Sequence, residues 1–232
     1  MEPTHGKVSW GRPAWSFFHG MTLDPLASDS AKRAQKRLME ILCYILPCPT
    51  CRKSYRKFSR SLPLTNPEHV GDWLVEIHDC VNLKLEKPAA SVPDPIEHWK
   101  NFQVAKFANI PEVSDGHEKQ VGYASYVEDM FFFLFTLAAN YPLTWTQDTQ
   151  VADKYREFFQ TLPKAMMHRP WGRKMADYTS QRPLTNEILS SGREALMKWL
   201  YGIYLQVPIQ GEQIEKPSFE VISKTMEMMR KK

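Results

Sequence analysis

The chain has 232 residues, of which 43% are hydrophobic and 17 are prolines, with four cysteines and a formal net charge of +4. That length suits two domains of roughly 100 residues each, and the composition fits a folded, loop-punctuated helical protein. Four cysteines in such a length do not describe a disulfide-stapled secreted protein, and the apolar run Phe131 to Ala139 is far short of the ~20 residues that span a bilayer.

Residues 12–24 read as the first helix. Arg12, Trp15 and His19 fall at i, i+3 and i+7 and so share one face. An arginine, an indole and an imidazole on one stripe suit a planar, anionic ligand; the plainer reading is a core tryptophan with two polar neighbours. Residues 30–46 follow, with Ala34, Leu38, Ile41, Leu42 and Ile45 as a core-facing stripe. Pro47-Cys48-Pro49-Thr50-Cys51 then looks like a helix start, because proline's missing N–H costs nothing at the first helical position. Cys51 falls in the first turn, where free N–H groups and the helix dipole stabilise a thiolate, and Arg52, Lys53 and Arg56 stand close by. A lowered Cys51 pKa is expected. The two-residue spacer allows a small disulfide ring; half a zinc site or two inert thiols are the alternatives. Zinc would have to draw on His78 and Cys80, or Cys43, since there is no second C-x-x-C and no H-x-x-x-H.

Residues 50–61 form a basic helix with Tyr55 and Phe58 turned inward. Asn66-Pro67 caps the next helix, whose apolar stripe is Val70, Trp73, Leu74, Ile77, Val81 and Leu85. His78 and Asn82 lie four apart at the edge of that stripe. A short helix around 94–104 carries Trp99. The first half is therefore an all-α bundle of four helices plus a short fifth. Groups from helices one and four and the cysteine pair can converge between helices, a usual place for a cofactor.

Taken in order, these residues resemble the Erv/ALR domain of FAD-linked sulfhydryl oxidases. The resemblance covers residues 9–100. It is carried by Gly11, Arg12, Trp15 and His19, by Pro47, Cys48 and Cys51, by Trp73-Leu74, by His78, Val81, Asn82, Leu85, Lys87 and Pro88, and by Trp99. It implies that a dithiol substrate reduces a Cys48–Cys51 disulfide by exchange, with Cys48 as the interchange thiol and Cys51 against the flavin. It further implies that FAD passes the electrons to O2, giving H2O2, and that Gly11, Arg12, Trp15, His19, His78, Val81, Asn82, Lys87 and Trp99 hold FAD. There are departures. Asp79 stands where the family usually has Asn, and the usual structural disulfide and the tail C-x-x-C shuttle are absent. Cys43 and Cys80 are left to pair, to act as a relay or to stay reduced, and buried thiols are the expectation.

Residues 105–232 contain no cysteine, yet echo the first half. Pro183-Leu184-Thr185-Asn186 follows Pro63-Leu64-Thr65-Asn66, Trp199-Leu200 follows Trp73-Leu74, and the segment from Phe132 to Leu137 follows Phe17 to Leu23. Leu162-Pro163 is aligned with Leu46-Pro47, which sets Lys164 against Cys48 and Met167 against Cys51. His19, His78 and Asn82 are matched by Phe133, Tyr204 and Pro208. Shared apolar periodicity alone could produce part of this. The expected organisation is a catalytic FAD-binding domain at 1–104 and a degenerate Erv-like helical domain at 105–232. Joined in one chain, the second would take the place of a homodimer partner at high effective concentration; a further homodimer is left open.

The leading functional expectation is an FAD-dependent thiol oxidase with a dithiol protein substrate, such as a thioredoxin-like carrier, and molecular oxygen as partners. No metal, no membrane and no nucleic-acid partner is expected: the basic residues come without a nucleic-acid motif. They read as a solvated face or a lure for acidic dithiols. The alternatives are a non-catalytic structural or virion-assembly protein on an Erv-derived scaffold, and a dithiol reductase or zinc module. No secretory signal is visible. The expected location is cytoplasmic, in a viral factory or virion if the origin is a large DNA virus, ahead of the mitochondrial intermembrane space.

Overall fold

The computed structural model describes residues 10–24, 26–87, 125–142, 149–207 and 216–230. The expected helix at 94–104, Pro88 and Trp99 lie outside them. Every regular element among the described residues is helical. In the first half these are α1 (Gly11–Thr22), α2 (Asp29–Ile45), α3 (Pro49–Ser61), a 3-10 turn (Pro67–His69) and α4 (Val70–Lys84). The starts follow from local chemistry. Ser28 caps α2 by accepting the Ala31 N–H, Cys48 caps α3 ahead of Pro49, and Asn66 accepts the Glu68 N–H ahead of α4.

The second half holds α5 (Ser125–Ala139), α6 (Thr149–Ala165), α7 (Pro170–Gln181), α8 (Asn186–Ser190), α9 (Arg193–Gln206) and α10 (Phe219–Arg230). The apolar run of α5 is a core helix: Phe131, Phe133, Leu134, Phe135 and Leu137 are all buried. No helix among the described residues is long and apolar enough to cross a membrane.

One continuous buried core joins both halves. Its largest seam is α2 against α6, followed by α1 against α5. Leu38, Leu42, Ile45, Tyr155, Phe158 and Leu162 are each at most 2% exposed; burial of such a side chain stabilises the fold by about 2 kcal/mol. Gly20 of α1 lets α5 come close, since a Cβ there would lie 2.7 Å from the Tyr126 ring.

Polar groups tie the seam as well. The Gln35 amide donates to Met21 O (3.0 Å) and Ala165 O (3.3 Å), and the Tyr155 hydroxyl lies 3.2 Å from Leu137 O and 3.4 Å from Ile45 O. The strongest tie is Asp24, just beyond α1. Its carboxylate accepts from both arms of Arg169 (2.6 and 2.8 Å), from His168 Nε2 (2.9 Å) and from the Leu26 N–H (3.0 Å).

Two hydrogen bonds recur at corresponding places. Trp73 Nε1 donates to Leu62 O just after α3, and Trp199 Nε1 to Arg182 O just after α7. Thr22 bonds Phe18 O, and Thr136 bonds Phe132 O. One sequence alignment needs correcting. Pro163 lies inside α6, whereas Pro47 lies beyond the end of α2. Lys164 and Met167 are therefore not in register with Cys48 and Cys51. The residue that precedes a proline-started helix in the second half, as Cys48 does in the first, is Arg169.

Candidate active site

Cys48 has extended backbone (φ −97°, ψ 123°), which turns its sulfur back over the start of α3. The Cys51 N–H points at Cys48 Sγ, 3.2 Å away. The helix-end donor that the sequence reading gave to Cys51 thus serves Cys48. Both thiols are half-buried and unbridged. Burial and the adjacent Cys48 thiol push the Cys51 pKa up, against a smaller opposing pull from the Lys84 ammonium. The expected lowering at Cys51 is overturned, because desolvation of a thiolate outweighs the helix end.

The basic helix also differs from expectation. Arg52 donates to Leu46 O and Arg56 to Cys43 O, at the C-terminal end of α2. Cations there satisfy orphan carbonyls and complement the helix dipole. Lys53, Lys57 and Arg60 remain exposed.

Facing the cysteine pair, α1 and α4 bring three rings together. The Trp15 and His78 rings stack at 3.9 Å between centroids and 10° between planes, and His19 Nε2 lies 3.1 Å from His78 Nδ1. Burial, then proximity to His78, lowers the His19 pKa to about 3. Burial, then the Lys87 charge, lowers that of His78 to about 4. Both imidazoles are therefore neutral near pH 7, and cationic charge in this region comes from Arg12, Lys84 and Lys87.

These groups border one cleft of about 1070 Å³. Of the expected site residues, Gly11, Arg12, Trp15, Cys48, Cys51, His78, Val81, Asn82 and Lys87 line it. His19 sits fully buried beneath, bonded to His78. Asp79 does not line the cleft. Cys43 is buried and Cys80 half-buried, both unbridged. Among the described residues, no three His, Cys, Asp or Glu side chains gather as a metal site.

Sequence reasoning missed several lining residues. Lys84, held by Ser54, stands near Cys51. Asp129 of α5 and Thr225, Met228 and Met229 of α10 also reach the cleft. No motif marks these last four; only the tertiary packing of α10 and α5 puts them there.

The cleft suits a flavin dinucleotide in size and chemistry. It is larger than the roughly 300–1,000 Å³ typical of drug-sized ligands, mostly apolar, walled by stacked rings and edged by cations. Comparison with known proteins points the same way. Residues 12–102 match the model of the Erv1 / Alr family. Over 95 residues the chain is 30% identical to the mitochondrial FAD-linked sulfhydryl oxidase ERV1 of Saccharomyces cerevisiae, covering 39% of this chain and 50% of that protein. Over 97 residues it is 30% identical to the probable FAD-linked sulfhydryl oxidase R368 of Acanthamoeba polyphaga mimivirus, covering 38% and 66%. Over 87 residues it is 33% identical to the FAD-linked sulfhydryl oxidase ERV1 of Arabidopsis thaliana, covering 35% and 44%. The chain thus spans about half to two thirds of the length of these relatives. No solved structure gives a significant match.

Proposed function

We propose that the protein is an FAD-dependent sulfhydryl oxidase that forms disulfides in protein dithiols, built on the stretch at residues 12–102 that matches the Erv1 / Alr family model. The carrying observation is that one cleft is lined both by Cys48 and Cys51 and by Arg12, Trp15, His78 and Asn82. A substrate thiolate attacks Cys48 Sγ of the oxidised pair. The Cys48–Cys51 bond breaks, a mixed disulfide forms on Cys48, and Cys51 leaves as the thiolate. The substrate's second thiolate then attacks its own bridged sulfur, releasing Cys48 and an oxidised substrate. Bound FAD would supply the two-electron redox chemistry here, passing the electron pair of the reduced cysteines from the Cys51 side to O2, which with two protons gives H2O2. The stacked Trp15–His78 plane gives a flat cofactor a wall, and Gly11, Val81 and Asn82 shape the space beside it. Arg12 and Lys87 offer cationic groups to the pyrophosphate. His19 holds His78 in orientation, and Lys84 favours the Cys51 thiolate by charge.

The second half, residues 105–232, is read as a degenerate copy that replaces a homodimer partner. Supporting this, corresponding helices pack on each other, α1 on α5 and α2 on α6, an arrangement compatible with an isologous interface. The two tryptophan-to-carbonyl bonds recur as well. The substrate is a separate dithiol protein, of the thioredoxin-like carrier kind. The location is cytoplasmic, in a viral factory or virion if the origin is a large DNA virus; one relative is a mimivirus protein and another is named mitochondrial, and fractionation of expressing cells distinguishes the two. The proposed chemistry is tested by Cys51→Ser. Turnover with a dithiol under air falls to background while FAD stays bound; a normal rate in that variant overturns it.

A further inference from the structure

Cys48 borders two cavities. The large cleft also touches Cys51. A second pocket, of about 170 Å³, touches Cys48 but not Cys51. Its walls include Trp10 and Met229, which it shares with the large cleft, and Asn140, Met226 and Arg230 of the second half. Thiol–disulfide exchange is an in-line displacement, so a nucleophile reaches Cys48 Sγ from the side away from Cys51 Sγ. The small pocket has Cys48 in its wall and not Cys51, as such an approach requires. Its volume admits one side chain, not a cofactor.

The charge of its rim is cationic. Arg230 is exposed there, and the neighbouring Arg193 guanidinium, whose pKa is lowered by burial and then by Arg230, adds to the same field. A cationic rim raises the local concentration of a thiolate and of carboxylates beside it. Met226 and Met229 provide a soft, adaptable wall that accepts varied neighbours of the reacting cysteine.

Resting on the oxidase reading, we propose that this pocket is the port through which the substrate's attacking cysteine reaches Cys48, and that α10 selects protein dithiols flanked by acidic residues. The degenerate half is then part of the substrate site. In the forward step the incoming thiolate bonds to Cys48 Sγ as the Cys48–Cys51 bond breaks. Reduced Cys48 forms the same mixed disulfide when it attacks a peptide disulfide seated at this pocket, which allows a test without flavin or oxygen.

The reduced protein is mixed with two short peptides, each carrying one cysteine capped as a disulfide with thiopyridine and flanked by either Glu or Lys. Attack by Cys48 forms the peptide–Cys48 disulfide and releases thiopyridone, read by absorbance; Cys48→Ser gives the background from the other thiols. The Glu peptide is expected to react roughly threefold faster than the Lys peptide, as for one partly screened charge pair. Arg230→Glu reverses that preference, read as the Glu-to-Lys rate ratio within each protein so that any change in the intrinsic reactivity of Cys48 cancels. The same Glu-to-Lys ratio in wild type and Arg230→Glu overturns the proposal. Failure of the oxidase reading would show separately, as no flavin bleaching by any dithiol.

Discussion

Asp24→Asn is expected to loosen the attachment of the two halves. The Asp24 side chain is 1% exposed and accepts four hydrogen bonds, three of them from His168 and Arg169. Burial alone would raise its pKa. The hydrogen bonds from His168, Arg169 and Leu26 and the Arg169 charge outweigh it and hold the pKa at about 2, against a reference of 3.8. A carboxylate with a depressed folded pKa stabilises the fold above its unfolded pKa, and that stability is lost as pH falls toward the folded value. The difference corresponds to about 2.5 kcal/mol at pH 7, roughly half of which is gone at pH 3. Neutral Asn keeps the shape but leaves the Arg169 and His168 side chains, both largely buried, without their anion, so the measured loss should be about 3 kcal/mol. Urea unfolding followed by tryptophan fluorescence at pH 7 and pH 3, on wild type and variant, measures it. A loss below about 1 kcal/mol, or an equal loss at both pH values, would refute the reasoning.

His19 and His78 are neutral in the fold, with pKa values near 3 and 4, so the unfolded chain binds more protons below pH 6.5. Stability should fall by about 2 kcal/mol per histidine between pH 7 and pH 5, and the His78→Gln variant should show a shallower pH slope in urea titrations. Gly20→Ala places a methyl 2.7 Å from Tyr126 and should cost about 1–3 kcal/mol, read as a lower Tm. Trp73→Phe removes the 2.6 Å bond to Leu62 O and should cost about 1 kcal/mol without changing the reactivity of Cys48.

The first-half helices were legible because their starts carry local chemistry: Ser28, Pro49 and Asn66-Pro67 act on their own turns. The convergence of Trp15, His78 and the cysteine pair was legible from helical spacing once four helices had to share a core. The Asp24 cluster was not, because its partners lie 144 and 145 residues away and no periodicity links them. The register of the second half was misread at Pro163, which imitates Pro47 in sequence but lies within a helix. The direction of the Cys51 pKa is not legible in the sequence, because burial and then the Cys48 thiol raise it, and neither follows from the position of Cys51 in the first turn. No motif in the sequence marks the residues of α10. Their place beside Cys48 depends on packing against α5 and α9, which no local pattern encodes.

The visible absorption spectrum of the purified protein, followed by addition of a dithiol under air, tests the central claim most directly. A flavin spectrum that bleaches with the dithiol and recovers with oxygen as peroxide is released is expected. A protein that stays colourless after incubation with FAD would contradict it, and would leave a structural protein built on an Erv-type scaffold as the reading.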